Sequence, residues 1–558
     1  MKKLIALLIV LSLTLSSCTL LPEGFPGKDF LETLFDTSGN GPVENPPSSS
    51  DDTGNENTGN QGNVGGNNEN QGNVGENPGN TDNCDKNHTD KDDDGKCDYC
   101  SVSVIVVVDV FALNDLHGKI VATSSQTGVG SLTTYLKNES DDNSILLSSG
   151  DMWQGTAESG LTFGTMMTDW MNRVGFVSMT VGNHEYDWSE EYVRSNYEIA
   201  EFPFLAINVY DTSTGKRAEY ATPSVVVERD GVEIGIIGAI GDCYSSISSE
   251  MRDGFTFKTG SELTKLVKAE AQRLRAEGVD FIIYSIHDGY GSYSSGIKNV
   301  SNSDISSYYD ASLSDGYVDL VFEGHTHQSY ILKDSYGVYH LQGGGENSGL
   351  SRAEVKINSA NGNTSVESPT IVKSSAWKNL SVHPIVTELL NDYSEVIAKA
   401  TEKLGYNRYY RDDSDLEQLI AELYYEFGVE EWGDEYTITL GGGFLRTRSP
   451  YNLKAGDVYY ADVYSLFTFN NDIVLCSISG KDLLSKFINT TNADYYVAAG
   501  VSIETLKNSI DQNKTYYIIV DSYTSGYRYN NLTEVARISG LYARDLFAEY
   551  VKSGGLAS

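Results

Sequence analysis

The stretch Ile145–Asp187, ILLSSGDMWQGTAESGLTFGTMMTDWMNRVGFVSMTVGNHEYD, decides the fold of this 558-residue chain. One short apolar run in it ends in SSGD, at Asp151, and a second ends in GNHEYD, at Asp187. The spacing of apolar residues between them predicts a helix over 166–174, so the stretch reads strand, helix, strand. Because ligands of open α/β sheets bind at the carboxyl ends of strands, these polar residues form half of a candidate site.

Three further predicted strands also end in polar residues. They cover 103–113, 281–286 and 320–322, and they are followed by NDLHG with Asp115 and His117, by His287, and by GHTH with His325 and His327. A single Asp-x-His or His-x-His motif is more often a capped turn or a satisfied polar pair than a set of ligands. Five of the eight histidines lie at predicted strand ends, however, and this joint pattern favours a metal site.

The residue types narrow the choice of metal. Neutral imidazoles with carboxylates and an amide oxygen suit Zn²⁺, Mn²⁺ or Fe²⁺, and the absence of a neighbouring cysteine argues against a thiolate site. The ligands suffice for two ions. Two ions about 3.5–4 Å apart can clamp the attacking and leaving oxygens of an in-line displacement at phosphorus.

The motif order D-x-H, GD, GNHE, H, GHTH resembles the calcineurin-like metallophosphoesterases. The forms NDLHG, SSGDMWQG, GNHEYD and GHTH resemble the 5′-nucleotidase family in a bacterial lipoprotein form, over roughly residues 104–558. The resemblance implies an α/β fold with a four-layer β-sandwich flanked by helices over 104–374, a linking helix over 384–404, and a smaller α+β substrate-binding domain over 405–558. Strand and helix alternation alone also permits an ordinary doubly wound sheet.

The resemblance also implies the ligand sets and the reaction. One ion is expected on Asp115, His117, Asp151 and His327, and the other on Asp151, Asn183, His287 and His325, so that Asp151 bridges them. A metal-bound hydroxide is then expected to attack phosphorus in line. His184, oriented by Asp187, is expected above the phosphate, donating to the developing charge or the leaving oxygen. Some relatives carry Gln where this chain has His327, which bears on metal preference.

Three segments of the second half resemble the substrate-binding parts of the family. They are GGGFLR, FTFNN and DSY, and they imply that Arg446 contacts the phosphate or nucleotide, that Phe469 and Tyr523 stack on the base, and that Asn471 holds a polar group. Arg408 and Arg411 are further candidates for phosphate contacts. Ordinary core packing of the two aromatics and a simple turn at the Gly run are also compatible with these segments.

Two departures from the family concern the nucleoside. Leu440 stands where relatives usually carry Asn, and TSGYRY at 524–529 replaces GGDGY, so the Asp expected to grip the ribose is missing. These departures leave a substrate other than a nucleoside 5′-monophosphate open.

The N-terminal residues indicate export. Residues 1–17 have a basic start and an apolar run that is short for a membrane span, and LSSC resembles a lipobox with a lipid expected on Cys18. A transmembrane helix and a plain secretory signal are the competing interpretations. Residues 18–83, with the near repeat NQGNVGGNNENQGNVGENPGN, predict a flexible tether, so the expected location is outside the cytoplasm on the bacterial cell membrane.

The segment 84–101 contains CDKNHTDKDDDGKCDYC and is too short to form a core of its own. Cys84, His88, Cys97 and Cys100 have the residue types of a tetrahedral zinc site. The run from Asp90 to Asp98 also matches a D-x-D-x-D-G-x-x-D calcium loop. A disulfide with one free thiol, or a solvated acidic spacer, would fit the segment as well. The residue types favour zinc slightly over calcium.

Charge restricts the partners. The chain has 78 acidic and 40 basic side chains, a formal net charge of −38, which excludes a general surface for nucleic-acid duplexes. The predicted partners are a small nucleotide and, through the lipid, a membrane; no protein partner is predicted. The expected function is hydrolysis of nucleoside 5′-monophosphates and related nucleotides to nucleoside and phosphate. The second hypothesis is a hydrolase of 2′,3′-cyclic nucleotides, nucleotide sugars or a non-nucleotide phosphoester, or a thioester-type sulfate hydrolase of the same superfamily. A non-catalytic surface binding module is the third.

Overall fold

A computed structural model describes residues 88–557, apart from 124–126, 291–308, 444–451, 490–493, 497–502 and 529–530. The candidates Cys18, Cys84 and Arg446 therefore lie outside the described residues, as do the predicted signal segment and tether. Within the described part of the chain, no helix combines the length and the apolar character needed to cross a bilayer.

Two six-stranded sheets form the first domain. The first sheet has the order β14-β13-β1-β2-β3-β4 and consists of β1 (Ile105–Leu113), β2 (Ile145–Ser148), β3 (Ser178–Thr180), β4 (Phe204–Leu205), β13 (Gly349–Asn358) and β14 (Thr364–Lys373). The second has the order β11-β12-β10-β9-β7-β6 and consists of β6 (Ser224–Arg229), β7 (Val232–Ile240), β9 (Phe281–His287), β10 (Leu320–Glu323), β11 (Ser329–Lys333) and β12 (Tyr339–Gly343). A small pair, β5 (Val209–Asp211) and β8 (Phe255–Phe257), lies beside them.

The two sheets pack face to face around one apolar core. Val108 and Val110 of β1 meet Ile234 and Ile236 of β7 and Ile283 of β9, and all five side chains are fully buried. Because alternate residues of a strand point to opposite faces, each strand supplies this core with one face and an outer layer with the other.

Helices cover both outer faces. The helices of the first domain are α1 (Val129–Glu139), α2 (Ala157–Leu161), α3 (Thr165–Val174), α4 (Glu190–Ile199) and α5 (Gly260–Glu277). Leu132 of α1 and Trp170 of α3 belong to the core cluster on the first sheet, and Val267 of α5 belongs to the cluster on the second. The architecture is therefore the predicted four-layer sandwich, and the doubly wound alternative is wrong.

The predicted single linking helix is wrong in detail. Two helices, α6 (Pro384–Asp392) and α7 (Ser394–Ala400), replace it, and β15 (Lys403–Asn407) begins before the predicted end. Tyr393 has a φ of −101° and a ψ of 29°, which breaks the helix, and its side chain is buried against the first domain. Leu404 has a buried position in the second domain as part of a strand. Tertiary packing therefore overrides the helical periodicity.

The second domain is built on a five-stranded sheet. The sheet has the order β19-β16-β20-β18-β21 and consists of β16 (Ile438–Gly443), β18 (Asp472–Ser479), β19 (Asp494–Tyr496), β20 (Thr515–Asp521) and β21 (Thr533–Tyr542), while β15 pairs with β17 (Gly456–Tyr459). Its helices are α8 (Asp413–Trp432), α9 (Tyr460–Leu466), α10 (Gly480–Leu483), α11 (Ile503–Ser509) and α12 (Ala543–Lys552). The Gly run lies in β16 and does not form a turn. A Cβ on Gly441 would stand 2.1 Å from the Ala421 carbonyl oxygen, so glycine lets α8 pack directly on the strand.

The two domains contact each other through α2 and α9. Ala157 of α2 lies in the same apolar cluster as Tyr464 of α9. A Cβ on Gly160 would meet the Tyr464 hydroxyl oxygen at 1.9 Å, so the glycine makes room for that ring. Gln154 donates from Nε2 to the Thr468 carbonyl oxygen at 2.9 Å. These contacts place the loop after α9 beside the strand ends of the first domain.

Candidate metal centre

Below the candidate site, hydroxyl side chains at the strand ends of the two sheets contact one another. Strands β1, β2 and β3 run parallel in one sheet and β7, β9 and β10 run parallel in the other, so their carboxyl ends share one edge. The Ser285 hydroxyl lies 3.0 Å from the Ser149 hydroxyl and accepts a 2.7 Å hydrogen bond from Thr180 Oγ1. The strand ends of the two sheets are thereby tied together under the histidines.

Six of the predicted ligands form two groups of three. One group is Asp115, His117 and His327, and the other is Asp151, His287 and His325; within each, the ligand atoms lie within 4.8 Å of one another. Nε2 of His117 is 3.0 Å from Nε2 of His327, and Nε2 of His287 is 3.2 Å from Asp151 Oδ2. The seventh, Asn183, points its Oδ1 at Nε2 of His287 from 3.2 Å.

The two groups adjoin. The backbone N–H of His325 donates to the Asp115 carboxylate oxygens at 2.9 and 3.1 Å, and the backbone N–H of His117 donates to the Asp151 carbonyl oxygen at 3.1 Å. Each connection joins a residue of one group to a residue of the other.

Five of these ligands have left-handed backbones. Their φ angles are 50° for Asp115, 51° for His117, 56° for Asp151, 69° for His325 and 55° for His327. Non-glycine residues rarely adopt this region, because it costs about 1–3 kcal/mol per residue and persists only where the surrounding structure enforces it. The curl at each strand end turns residues two apart in sequence toward one centre.

Gly150 of the GD motif and Gly182 of the GNHE motif allow their loops to lie in close contact with metal-ligand side chains. A Cβ on Gly150 would stand 2.6 Å from Nδ1 of His287, and one on Gly182 would stand 2.3 Å from Asp151 Oδ1. Side chains at these positions would displace ligands, so the Gly in GD and in GNHE is required by close contact.

The hydrogen bonds of two histidines fix which nitrogen faces the centre. Nδ1 of His117 donates to the Gln154 carbonyl oxygen at 2.9 Å, and Nδ1 of His287 donates to the Ser149 carbonyl oxygen at 2.7 Å. In the neutral rings, Nε2 then carries a lone pair. Nε2 of His117 faces Nε2 of His327, and Nε2 of His287 faces a carboxylate and an amide oxygen. Nitrogen and oxygen atoms grouped in this way are suitable ligands for divalent cations.

The pKa shifts in the group of Asp151, His287 and His325 also indicate that positive charge is favourable at this site. Burial alone would raise the pKa of Asp151, but His287, His184 and His117 lower it well below its usual range. Burial alone would lower the pKa of His287, but Asp151 raises it to about 10. A carboxylate buried among imidazoles is thus stabilised by positive charge, which a divalent ion supplies.

Glu185 is a site residue to which the sequence motifs assigned no role. Its Oε2 accepts from the backbone N–H groups of Asp151 at 2.9 Å and Gly182 at 2.7 Å, and its Oε1 accepts from that of Met152 at 2.7 Å. Burial, and then Asp151, raise the pKa of Glu185 to about 7. The Glu185 side chain thus connects the loop after β2 with the loop after β3. Its position in the GNHE motif is the signal that could have identified it.

Comparisons with known proteins agree with this geometry. Residues 109–329 match the family model of the calcineurin-like phosphoesterases. The chain is 24% identical over 432 residues to protein UshA of Yersinia enterocolitica, covering 67% of this chain and 75% of that protein. It is 23% identical over 451 residues to a 5′-nucleotidase of Vibrio parahaemolyticus, covering 71% of this chain and 77% of that protein. The crystal structure of a 5′-nucleotidase precursor from Thermus thermophilus superposes with a TM-score of 0.58 over 80% of this chain and 96% of that one, at 18% identity.

Residues 109–329 form a calcineurin-like metallophosphoesterase domain, and the chain is a 5′-nucleotidase-like hydrolase. The family implies a dinuclear metal site, and the donors described above fit one. This phosphoesterase also has the second domain with its own sheet that accompanies the sandwich in 5′-nucleotidase structures.

His184 lies beside both ligand groups of the phosphoesterase without joining either. Its Nδ1 is 2.6 Å from Asp187 Oδ2, its Nε2 is 4.0 Å from Asp151 Oδ2, and its ring centroid is 5.4 Å from that of His117. The side chain is 14% exposed, whereas those of His117 and His287 are fully buried.

Three predicted substrate residues of the phosphoesterase line one cavity. Phe469, Asn471 and Tyr523 surround it together with Asp187 and residues of the 248–251 turn. The Phe469 ring centroid is 6.1 Å from that of His184. The roles of these side chains in binding substrate therefore stay predictions, and simple core packing stays the alternative.

The remaining arginines are placed differently. Arg408 stacks over Tyr409 at 5.3 Å, and Arg411 donates from Nε to Asn407 Oδ1 at 3.3 Å. Neither is among the described residues that line the cavity, so their contact with phosphate stays a prediction.

Proposed function

We propose that this phosphoesterase hydrolyses nucleoside 5′-monophosphates and related nucleotides to nucleoside and phosphate, using two divalent ions such as zinc, manganese or iron. The ions would be held by Asp115, His117 and His327 and by Asn183, His287 and His325, with Asp151 between them. When bound, such ions supply an activated water and neutralise charge on the phosphoryl group.

The position of Phe469 carries the proposal on the substrate. The ring centroid of Phe469, from the second domain, lies 6.1 Å from that of His184, and Tyr523 borders the same small cavity of about 20 Å³. A phosphate at the centre would therefore leave its organic group next to two aromatic side chains. A planar base suits such a pair because rings attract each other in offset or edge-to-face arrangements.

The loop that carries Phe469 is held from both domains. Gln154 binds the Thr468 carbonyl oxygen, while the buried Arg544 donates from Nη1 to the Phe467 carbonyl oxygen at 3.1 Å and from Nη2 to Asn470 Oδ1 at 2.9 Å. Fixing the loop on both sides lowers the entropy lost when a ligand stacks on it.

We assign the proton transfer to His184. Asp187 binds its Nδ1 and so directs Nε2 toward the centre. Water supplies the oxygen that forms the new bond to phosphorus, the ester P–O bond breaks, and Nε2–H of His184 gives its proton to the departing nucleoside oxygen.

A substrate panel tests the proposal. AMP, 2′,3′-cyclic AMP, UDP-glucose and ribose 5-phosphate are compared by phosphate release or product formation in the presence of manganese or zinc, with chelated protein as the control. We expect AMP to have the highest kcat/KM and chelation to abolish turnover. Metal-dependent hydrolysis of p-nitrophenyl phosphate with no preference for AMP would reject the nucleotide but keep the phosphoesterase; no hydrolysis of any ester would favour the binding module.

Replacing Phe469 by alanine tests the stacking. Base–aromatic stacking is worth about 1–3 kcal/mol, so we expect the KM for AMP to rise roughly 10-fold, with a smaller change for ribose 5-phosphate, which has no base. Steady-state kinetics on both substrates measure the difference. Tyr459→Ala, which removes an exposed aromatic of the same domain, is the matched control. Equal changes for the two substrates would contradict a base-binding role.

A second candidate substrate class is favoured by the residues after Tyr523. A turn of π-helix, Thr524–Arg528, occupies the place of the family's Gly-rich segment, and Asp521 uses Oδ1 to accept the Thr524 N–H at 2.7 Å. Without the ribose-binding Asp, a cyclic nucleotide, a nucleotide sugar or a non-nucleotide phosphoester competes with AMP as the preferred substrate. The substrate panel discriminates among them.

We further propose that the enzyme acts outside the cytoplasm, attached through a lipid on Cys18. The lipobox-like LSSC and the Gly- and Asn-rich stretch support this proposal, and both lie outside the described residues. Metabolic labelling with a palmitate analogue, compared between the native chain and Cys18→Ser, decides it.

A further inference from the structure

The residues just before β1 form a small folded unit. The N–H of Cys97 donates to the Val102 carbonyl oxygen at 2.9 Å, and the N–H of Ser101 donates to the Cys97 carbonyl oxygen at 2.8 Å, which closes a tight turn around Cys-x-x-Cys. The N–H of Asp98 donates to the Thr89 carbonyl oxygen at 2.8 Å and brings His88 beside that turn.

Three soft ligands converge in this unit. The ligand atoms of His88, Cys97 and Cys100 lie within 4.8 Å of one another, and Cys100 Sγ is 3.7 Å from His88 Nδ1. Cys97 is buried, and neither cysteine is in a disulfide. Two thiolates spaced Cys-x2-Cys with one imidazole are typical ligands of structural zinc.

The neighbouring aspartates are committed to the protein itself. Asp90 Oδ1 accepts the N–H of Asp94 at 3.2 Å, and Oδ2 accepts the N–H of Gly95 at 2.9 Å and Nδ2 of Asn358 at 2.8 Å. Asp92 and Asp94 are exposed. Ligand atoms of Asp90, Asp92 and Asp94 also lie within 4.8 Å of one another, but both oxygens of the Asp90 carboxylate already accept hydrogen bonds that anchor the loop. The two sulfurs and the imidazole are the softer ligand set, and zinc prefers such a set.

The unit docks on the edge of the first sheet. Asn358 at the end of β13 and Asn361 in the following turn donate to the loop, the latter to Asp93 Oδ1 at 3.0 Å. The N–H of Val104 donates to the Gly95 carbonyl oxygen at 3.0 Å. Polar contacts of this kind cannot by themselves offset the entropy of ordering a segment without an apolar core, whereas metal coordination can.

We propose that His88, Cys97 and Cys100 bind one zinc ion, which orders this unit and fixes it on the β13–β14 end of the catalytic domain. The site is separate from the phosphoesterase centre and serves the attachment of the preceding chain. Cys84 lies outside the described residues and is not counted among the ligands.

Cobalt substitution of the full chain tests the site. Cobalt bound by thiolates has a near-ultraviolet charge-transfer band, and the phosphoesterase ligands include no cysteine, so the band reports only this unit. We expect the band in the native chain, its loss in Cys100→Ser and in His88→Gln, and one zinc fewer per chain in both variants. Cys476→Ser, in the second domain, and Asp92→Asn, in the same loop, are matched controls that should keep band and zinc.

Three results would overturn the proposal: no band in the native chain, a band that survives in Cys100→Ser, or a Cys97–Cys100 disulfide found by alkylation and mass spectrometry in freshly purified protein. Burial raises the pKa of Cys243 well above its usual range, so this thiol does not imitate the signal. The unfolding transition of each variant, followed by circular dichroism, verifies that the two large domains are folded. Phosphate release, measured in parallel, distinguishes failure of this site from failure of the proposed enzymatic function.

Discussion

Replacing His184 by alanine is expected to lower kcat for AMP by roughly 10²–10⁴-fold, the range that a positioned general acid contributes, while bound metal stays at the native level. The ring belongs to neither ligand group, and its Nδ1 is taken by Asp187. Steady-state kinetics and metal analysis by mass spectrometry on the same preparations measure both quantities.

The leaving group distinguishes two ways in which His184 could act. p-Nitrophenolate departs without a proton, so a general acid predicts a much smaller loss for p-nitrophenyl phosphate than for AMP. Equal losses would assign His184 to stabilising charge on the phosphoryl group. His383→Ala, which removes an imidazole that caps α6, is the matched control and should leave kcat unchanged. Loss of metal from His184→Ala would contradict the assigned role altogether.

The convergence of the ligands on one site was accessible from the sequence because each ligand lies at a strand end, whereas their division into two sets was implied by the resemblance to the metallophosphoesterases. Parallel strands align their carboxyl ends, so motifs such as GD, GNHE and GHTH meet without knowledge of any long-range contact. The grouping of Asp115 with His117 and His327, and of Asp151 with His287 and His325, follows the expected assignment. The left-handed backbones at five of these residues show how the short motifs aim alternate side chains at one point.

The sequence could not predict features that depend on contacts between distant segments. The bond from Gln154 to the Thr468 carbonyl spans 314 positions, and no local pattern indicates it. At Tyr393 the backbone dihedrals leave the helical region although the hydrogen bonds to Leu389 and from Ile397 continue, and the apolar periodicity, which runs through this position, does not indicate the irregularity. Glu185 received no role from the sequence because its partners are backbone N–H groups of Asp151 and Met152, and its position in GNHE, although a signal, does not identify those partners.

Replacing Asp151 by asparagine is expected to have the largest effect of all, removing bound metal from both positions and lowering kcat/KM for AMP by roughly 10⁴-fold or more, because ion-assisted charge neutralisation contributes several kcal/mol to such reactions. Asp151 is buried, and its pKa is lowered by His287 of its own group and by His117 of the other, in keeping with its proposed position between the two ions. Metal content by mass spectrometry and kinetics over a range of added manganese measure the two losses.

Neutralising a buried carboxylate paired with histidine can lower folding stability in any protein. Asp334→Asn measures that loss of stability at a carboxylate outside the metal centre, so that it can be separated from the loss of metal and turnover expected for Asp151→Asn. Asp334 is buried, and its Oδ2 is 3.4 Å from Nε2 of His340, a geometry close to that of Asp151 with His287. Its variant is expected to lose some stability but to keep its metal and its kcat. If Asp151→Asn kept both ions and near-native turnover, the carboxylate could not bridge them, and the dinuclear assignment would have to be replaced by two independent sites. Asp151 can be tested in this way because its amide analogue preserves the hydrogen bond from the His184 backbone N–H to Oδ1 while removing the negative charge.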